Sequence, residues 1–329
     1  MQRNSQEPSG GYGARQKRDT IDLPDIAGIS NVDLDLSDPN DDGTVTAEID
    51  ADSDGGANET VDVKFNAKGG TKVIGTEGDN SITGSDGNDR FIGSAGDDAY
   101  VGGDGDDTID YSDLDTPITI SSAGGLVKEG LGTDTLGTFD VEAGFIEVVE
   151  TVIGDPDERN VVDSTSVQGA VATDVDLESG SYVGNIITDI GGFSDGDAFT
   201  LTLKNFVDVL GSDNNDEIAG SRVANLLTGA AGTDLINGRG GADTIAGGTG
   251  NDTLSGGGGG DTFQFASGDG ADTITDFEIG VDLLSFSDVE MGDIVAETNG
   301  GDTILTYGED AISLLGIETD DVSNLLLVA

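Results

Sequence analysis

The sequence predicts an all-β chain wound as a parallel solenoid, and three observations predict it. A nine-residue unit opening with Gly recurs ten times, in two blocks that each run without a gap. The eighth residue is apolar in every copy: Ile82, Phe91, Tyr100, Ile109, Ile218, Leu227, Ile236, Ile245, Leu254 and Phe263. The sixth is always Asp or Asn. A unit this short cannot bury its own apolar residue, so the copies must stack on their neighbours. With one inward residue per nine, two units make a coil of eighteen residues, running turn, strand, turn, strand, and the stacked coils give two parallel sheets.

The first block reads GTEGDNSIT, GSDGNDRFI, GSAGDDAYV and GGDGDDTID from Gly75, and the second reads GSDNNDEIA, GSRVANLLT, GAAGTDLIN, GRGGADTIA, GGTGNDTLS and GGGGGDTFQ from Gly211. Glycines at positions one, two and four are expected to permit positive φ, so that backbone carbonyls curl round a small hard ion. The acid completes the cage. Calcium takes six to eight oxygens at about 2.3–2.6 Å, more than one turn offers, so two stacked turns should share each ion. The candidate ligands are Asn80, Asp89, Asp98, Asp107, Asp216, Asp234, Asp243, Asp252 and Asp261, followed by Asp272 in a last glycine turn with Gly268 and Gly270. Weak or empty sites are expected at Asn80 and Asn225, where an amide replaces the acid, and Arg222, Val223 and Ala224 crowd the second of these turns. This pattern, G-G-x-G-x-D-x-U-x, resembles that of the RTX (repeats-in-toxin), hemolysin-type calcium-binding proteins. The resemblance implies a parallel β-roll with calcium ions along both edges.

The elements follow in order. Residues 1–20 carry charge and glycine with no apolar stretch and read as a disordered leader, neither a cleaved signal nor a membrane span. Residues 21–74 form an N-terminal β region, with period-two alternation at Val32, Leu34, Leu36, at Val45, Ala47, Ile49 and at Val61, Val63, Phe65. Between these runs lie two acidic turns, Asp38, Asn40, Asp42 and Asp50, Asp52, Asp54, each followed by Gly. Both have the start of an EF-hand-like loop, but Ile49 and Val61 stand where its closing Glu belongs, so extra calcium loops and plain solvated turns are both open. The first repeat block occupies 75–110 and the second 211–264. Between them, 111–210 reads as a β insert continuing the solenoid, with strand candidates at 118–120, 145–153, 171–177, 185–190 and 199–210, and DPDERNVVDSTS looks like a worn repeat turn with Asn160 at the acid position. Residues 265–329 supply a C-terminal β cap, needed because an open solenoid end exposes strand edges. Stretches such as DYSDLDTPITI resemble those bordering the repeats in RTX surface proteins of cyanobacteria and marine bacteria. The same resemblance implies type I secretion through an uncleaved C-terminal signal, here Asp320 and Asp321 before Leu325, Leu326, Leu327 and Val328.

Composition narrows the function. Sixty-six acids against 13 bases give a net charge of −53, which makes nucleic acid and anionic membrane poor partners and cations natural ones. There is no His and no Cys, so no Ser-His-Asp triad, Cys-His pair or histidine zinc site can exist. Carboxylate-only glycoside hydrolysis stays formally open, yet the absence of Trp leaves little for a sugar cleft, and no enzymatic activity is expected. Two functions remain: a secreted structural or adhesive rod at the cell surface or in the matrix, and the export and folding module of a type I secreted enzyme or toxin. The short stretch before Gly75 favours the first. Self-association into a filament or lattice is a further expectation. Lys64, Lys68 and Lys72 near the N-terminal end could either guard a strand edge or dock on the acidic body of another copy.

Overall fold

The structure is a computed structural model. It describes residues 70–121 except 77, 86 and 104, residues 151–164, 174–185 and 198–318, and the strands at 19–22, 31–35, 44–50, 59–64, 125–128, 132–136, 138–140, 145–147 and 326–328. Among these there is no α-helix, and no helix is long and apolar enough to cross a membrane.

Two fifteen-stranded sheets share one apolar core. Successive repeats alternate between them: Thr71–Ile74, Arg90–Ile92 and Thr108–Asp110 pair in one sheet, Asn80–Thr83 and Ala99–Val101 in the other. The register advances one coil per step, so Val73, Phe91 and Ile109 lie side by side, as do Ile82 and Tyr100. In the second block Ile218, Ile236, Leu254 and Ile274 form one ladder, and Val209, Leu227, Ile245, Phe263 and Leu284 form the other. All ten position-eight side chains are buried. Each such burial contributes about 1.5–3 kcal/mol, and stacking is what makes it available.

The segment between the blocks carries the stack onward. Thr151–Ile153 pairs in parallel with Thr108–Asp110 on one side and Ala198–Lys204 on the other. Asn160–Asp163 likewise joins Ile118–Ser121 to Phe206–Leu210. Between the two blocks each sheet carries antiparallel pairing that the period does not foresee. Gly125–Lys128 lies between Ile118–Ser121 and Gly132–Leu136, and Ser181–Asn185 lies between Asp174–Asp176 and Ala198–Lys204. Away from the nine-residue unit, nothing forces a crossover at every step, and a short connection suffices for an antiparallel neighbour. Of the strand expected over 185–190, only Asn185 is among the described residues, closing Ser181–Asn185.

At the C-terminal end, Ala271–Ile274 is followed in its sheet by Asp310–Leu314, then antiparallel Asp302–Tyr307 and Val295–Asn299. Aromatic contacts close this last coil: Phe265 with Phe286 at 5.8 Å between ring centres, and Phe286 edge-on to Tyr307 at 5.2 Å. Leu326–Val328 pairs with Leu283–Phe286, so the apolar C-terminal run is a sheet strand. At the other end, Asp19–Asp22 pairs with Thr71–Ile74 and begins inside the stretch read as a leader. The strand bearing Lys72 is therefore not the edge, and the second sheet ends instead on Glu59–Lys64, reached through Thr44–Asp50 and Asn31–Asp35.

Candidate metal sites

The apolar residue at position eight turns inward, and the pleat then sends position six inward at the preceding turn. Asn80, Asp89, Asp98, Asp107, Asp216, Asn225, Asp234, Asp243, Asp252, Asp261 and Asp272 are all buried. One carboxylate oxygen has the same task throughout: it accepts the backbone N–H of the position-six residue one coil back. Asp98 Oδ1 takes the amide of Asn80 at 2.9 Å and Asp107 Oδ1 that of Asp89 at 2.7 Å. Asp234, Asp243, Asp252 and Asp261 do the same for Asp216, Asn225, Asp234 and Asp243, at 2.7–2.9 Å. The ladder survives the register slip after the second block, because Asp272 receives Asp252 and Asp282 receives Asp261, both at 2.9 Å.

The second oxygen points into its own turn, and this sets the first glycine. A Cβ on Gly211 would stand 2.6 Å from Asp216 Oδ2 and one on Gly84 2.7 Å from Asp89 Oδ2, while on Gly229, Gly238, Gly247 and Gly256 it would overlap the carboxylate of the same turn. The expected positive φ is absent at these position-one glycines and present at position four, as in Gly232, Gly241, Gly250 and Gly259. The first glycine answers to close approach and the fourth to backbone conformation.

In the turns of Asp234, Asp243, Asp252, Asp261 and Asp272 this oxygen has no hydrogen-bond donor: Oδ2 is buried without a partner. Burial raises the carboxyls first and neighbouring acids add to it, taking Asp234 and Asp272 to about 7 and Asp243 to about 6. A desolvated carboxylate with an unused lone pair fits a hard cation. Among the described residues no three carboxylates gather as a self-sufficient ligand group, so backbone carbonyls of the stacked turns must complete any cage.

Elsewhere the chain fills the turn itself. Asn80 Nδ2 donates to the carbonyls of Thr76 (3.1 Å) and Gly78 (2.6 Å), Asn160 Nδ2 to those of Asp155 (2.8 Å) and Asn205 (2.7 Å), and Asn225 Nδ2 to that of Val207 (2.6 Å). Each amide occupies the inner face of its turn with N–H groups. The turn of Asp98 goes further: the fully buried ammonium of Lys128 donates to the Ser94 carbonyl at 2.7 Å and to Asp98 Oδ2 at 3.2 Å. Two arginines work at the surface of neighbouring turns. Arg159 pairs with Asp208, and Arg239 forks onto Asp176 at 2.6 and 2.7 Å, holding that carboxyl well below its usual range.

Asp38, Asn40, Asp42, Asp52 and Asp54 lie outside the described residues, and Asp50 ends the strand Thr44–Asp50. Sequence reasoning missed Lys128, Asp282 and Asp310. Asp310 accepts the amides of Gly268 and Gly270 at 2.8 and 3.1 Å. A signal existed for the two acids: Asp282 stands two residues before buried Leu284 and Asp310 two before buried Ile312, the repeat's acid-to-apolar spacing, with Gly280 and Gly308 at position four but no glycine at positions one and two.

Four stretches, 74–109 and the mutually overlapping 210–245, 228–263 and 237–274, match the RTX calcium-binding nonapeptide repeat. The chain thus carries calcium-binding repeats of this class in both blocks. Among solved structures it is similar to the extracellular lipase LipA from Serratia marcescens, at 18% identity over 80% of this chain and 41% of that one. The TM-score is 0.30, too low for that likeness to carry an argument, and the chain spans less than half of the lipase's length. No curated protein matches the chain.

Proposed function

We propose that this is a secreted, non-catalytic β-roll that folds on calcium outside the cell and acts as a structural or adhesive component of the cell surface or extracellular matrix. The observation that carries the reading is the row of buried, donor-free oxygens on Asp234, Asp243, Asp252, Asp261 and Asp272, inside repeats of a calcium-binding class. Bound there, calcium supplies the positive charge and oxygen coordination that these turns lack. The chain's own residues do the rest: Oδ1 of each acid ties two coils together, and the first glycine leaves room for Oδ2 to face the turn. The net charge of −53 keeps the unloaded chain open by self-repulsion, so binding free energy becomes folding free energy. Export by a C-terminal signal is compatible with this order of events. Leu326–Val328 is a sheet strand in the folded chain, so a signal read there is read before folding.

Circular dichroism during a calcium titration tests the reading, with a coil-to-β change at a midpoint of roughly 0.1–1 mM, the range of extracellular modules. A chain fully folded in excess chelator overturns it. Electron microscopy of the calcium-loaded chain tests the role: filaments or sheets support a surface or matrix component, and dispersed single particles favour an export and folding module.

A further inference from the structure

Position two of the repeat divides the turns into two kinds. Where it is Ser or Thr, side chain and backbone together close the turn. Ser85 donates its amide (2.6 Å) and its hydroxyl (3.0 Å) to Asp89 Oδ2, and Ser212 donates its amide to Asp216 Oδ2 (2.6 Å) and its hydroxyl to Oδ1 (2.8 Å). Thr76 and Ser221 donate in the same way to Oδ1 of Asn80 and Asn225, and the Ser94 hydroxyl reaches Asp98 Oδ2 at 3.1 Å. None of these five has a positive φ.

Where position two is Gly, Ala or Arg, the backbone is left-handed: Ala230 at φ 82, Arg239 at 68, Gly248 at 96, Gly257 at 88 and Gly268 at 96. Rotated this way, the peptide no longer aims its N–H at the acid, and no hydroxyl is present to replace it. These five turns are the ones in which Oδ2 of Asp234, Asp243, Asp252, Asp261 and Asp272 is buried without a donor. Ala230 and Arg239 adopt this conformation despite carrying a Cβ, so the division is one of turn type and not of glycine content.

We infer that position two decides which turns take a divalent cation: left-handed turns hold the ion, and Ser or Thr turns are closed by their own donors and hold none. The inference rests on the calcium reading above and deepens it. A cation entering a closed turn would have to displace both an amide and a hydroxyl from the acid, and in the Ser94 turn the Lys128 ammonium already holds that carboxylate. By its backbone the Gly103 turn, at φ 93, belongs with the open set.

The test is the number of calcium ions bound per chain at saturation, by equilibrium dialysis of the full chain, with circular dichroism to confirm folding. Ser212→Gly removes the hydroxyl and frees φ beside Asp216, and should add about one ion, taken between this turn and the Asp234 turn stacked on it. Gly248→Ser works in reverse. A Cβ there overlaps the Ala230 carbonyl, so the serine is held only if the peptide rotates into the closed form. About one or two ions should be lost, because the Asp252 turn stacks between those of Asp234 and Asp272. If Gly248→Ser does not fold, Ser212→Gly and the parallel variant Ser85→Gly decide the matter. Opening variants that fold and bind the wild-type number of ions overturn the inference while leaving the calcium reading intact. A wild-type chain that binds no calcium overturns both.

Discussion

Along the stretch from Asp234 to Asp272, the acids Asp234, Asp243, Asp252, Asp261 and Asp272 each keep a buried oxygen with no donor, whereas in the first block and the insert Asn80 and Asn160 fill their turns with amide N–H groups and Lys128 brings an ammonium to Asp98. The two regions share an apolar core and the Oδ1 ladder, in which Asn160 Oδ1 accepts the Ile118 N–H as Asp252 Oδ1 accepts that of Asp234, so they share a fold. They differ in what neutralises the turn. A solenoid stacks when its apolar ladder is buried and the charge at its edges is compensated, and the source of that compensation can change from coil to coil without altering the stack. The chain therefore combines turns compensated internally with turns dependent on their solvent, the second kind concentrated from Asp234 to Asp272.

Chelation should break the symmetry most. With excess chelator, hydrogen exchange should lose protection across 217–274 first, while 71–101 and 151–164 retain more of theirs. Uniform loss across all three would mean that the internal donors do not stabilise their coils. Next in size is Lys128→Met, which leaves a buried carboxylate beside an apolar side chain. Removing one partner of a buried ion pair costs about 3–5 kcal/mol, so the variant's calcium-free stability to urea should fall by that order, and calcium should restore part of it if the emptied turn can then accept an ion.

Within the second block, Asp252→Ala removes both the donor-free oxygen and the acceptor of the Asp234 amide. An orphaned buried N–H costs about 1–3 kcal/mol, and the calcium midpoint should rise several-fold. Asn225→Ala should move that midpoint much less, since the Asn225 amide is already bonded to the Val207 carbonyl. Equal shifts would erase the distinction between the two kinds of turn.

The smallest effect is with pH. Asp234 and Asp272, raised to about 7, and Asp243, raised to about 6, bind protons in the folded state that the unfolded chain releases near its ordinary carboxylate value of about 4. Their contribution to stability is fully present below that value and is lost as pH rises through 6 to 7. The calcium-free chain should therefore show more β structure at pH 5 than at pH 7.5, and acidification should raise the calcium midpoint because protons and calcium compete for the same oxygens. Calcium-free spectra that do not change with pH would show that these carboxyls titrate normally.

The coil, its core and the inward acid were legible from a single line of residues, because each follows from a constraint repeated every nine positions: Ile236 or Leu254 must be covered by the copies above and below it. Local chemistry also marked Asn80 and Asn225 as different. Position two was equally visible, but its meaning was not, since Ser212 and Gly248 both suit a tight turn and only the φ they adopt sets where the N–H points. Asp282 kept the acid-to-apolar spacing and the fourth-position Gly280 but had lost the opening glycines, with Phe277 and Glu278 at positions one and two. Lys128 left no periodic trace, because its ammonium reaches Asp98 across 30 residues of chain through an antiparallel pairing of Gly125–Lys128 that the repeat does not encode. Sequence alone determined what recurs. Tertiary structure decided which donor meets each buried carboxylate, because that depends on which distant segment the sheet order brings to the turn.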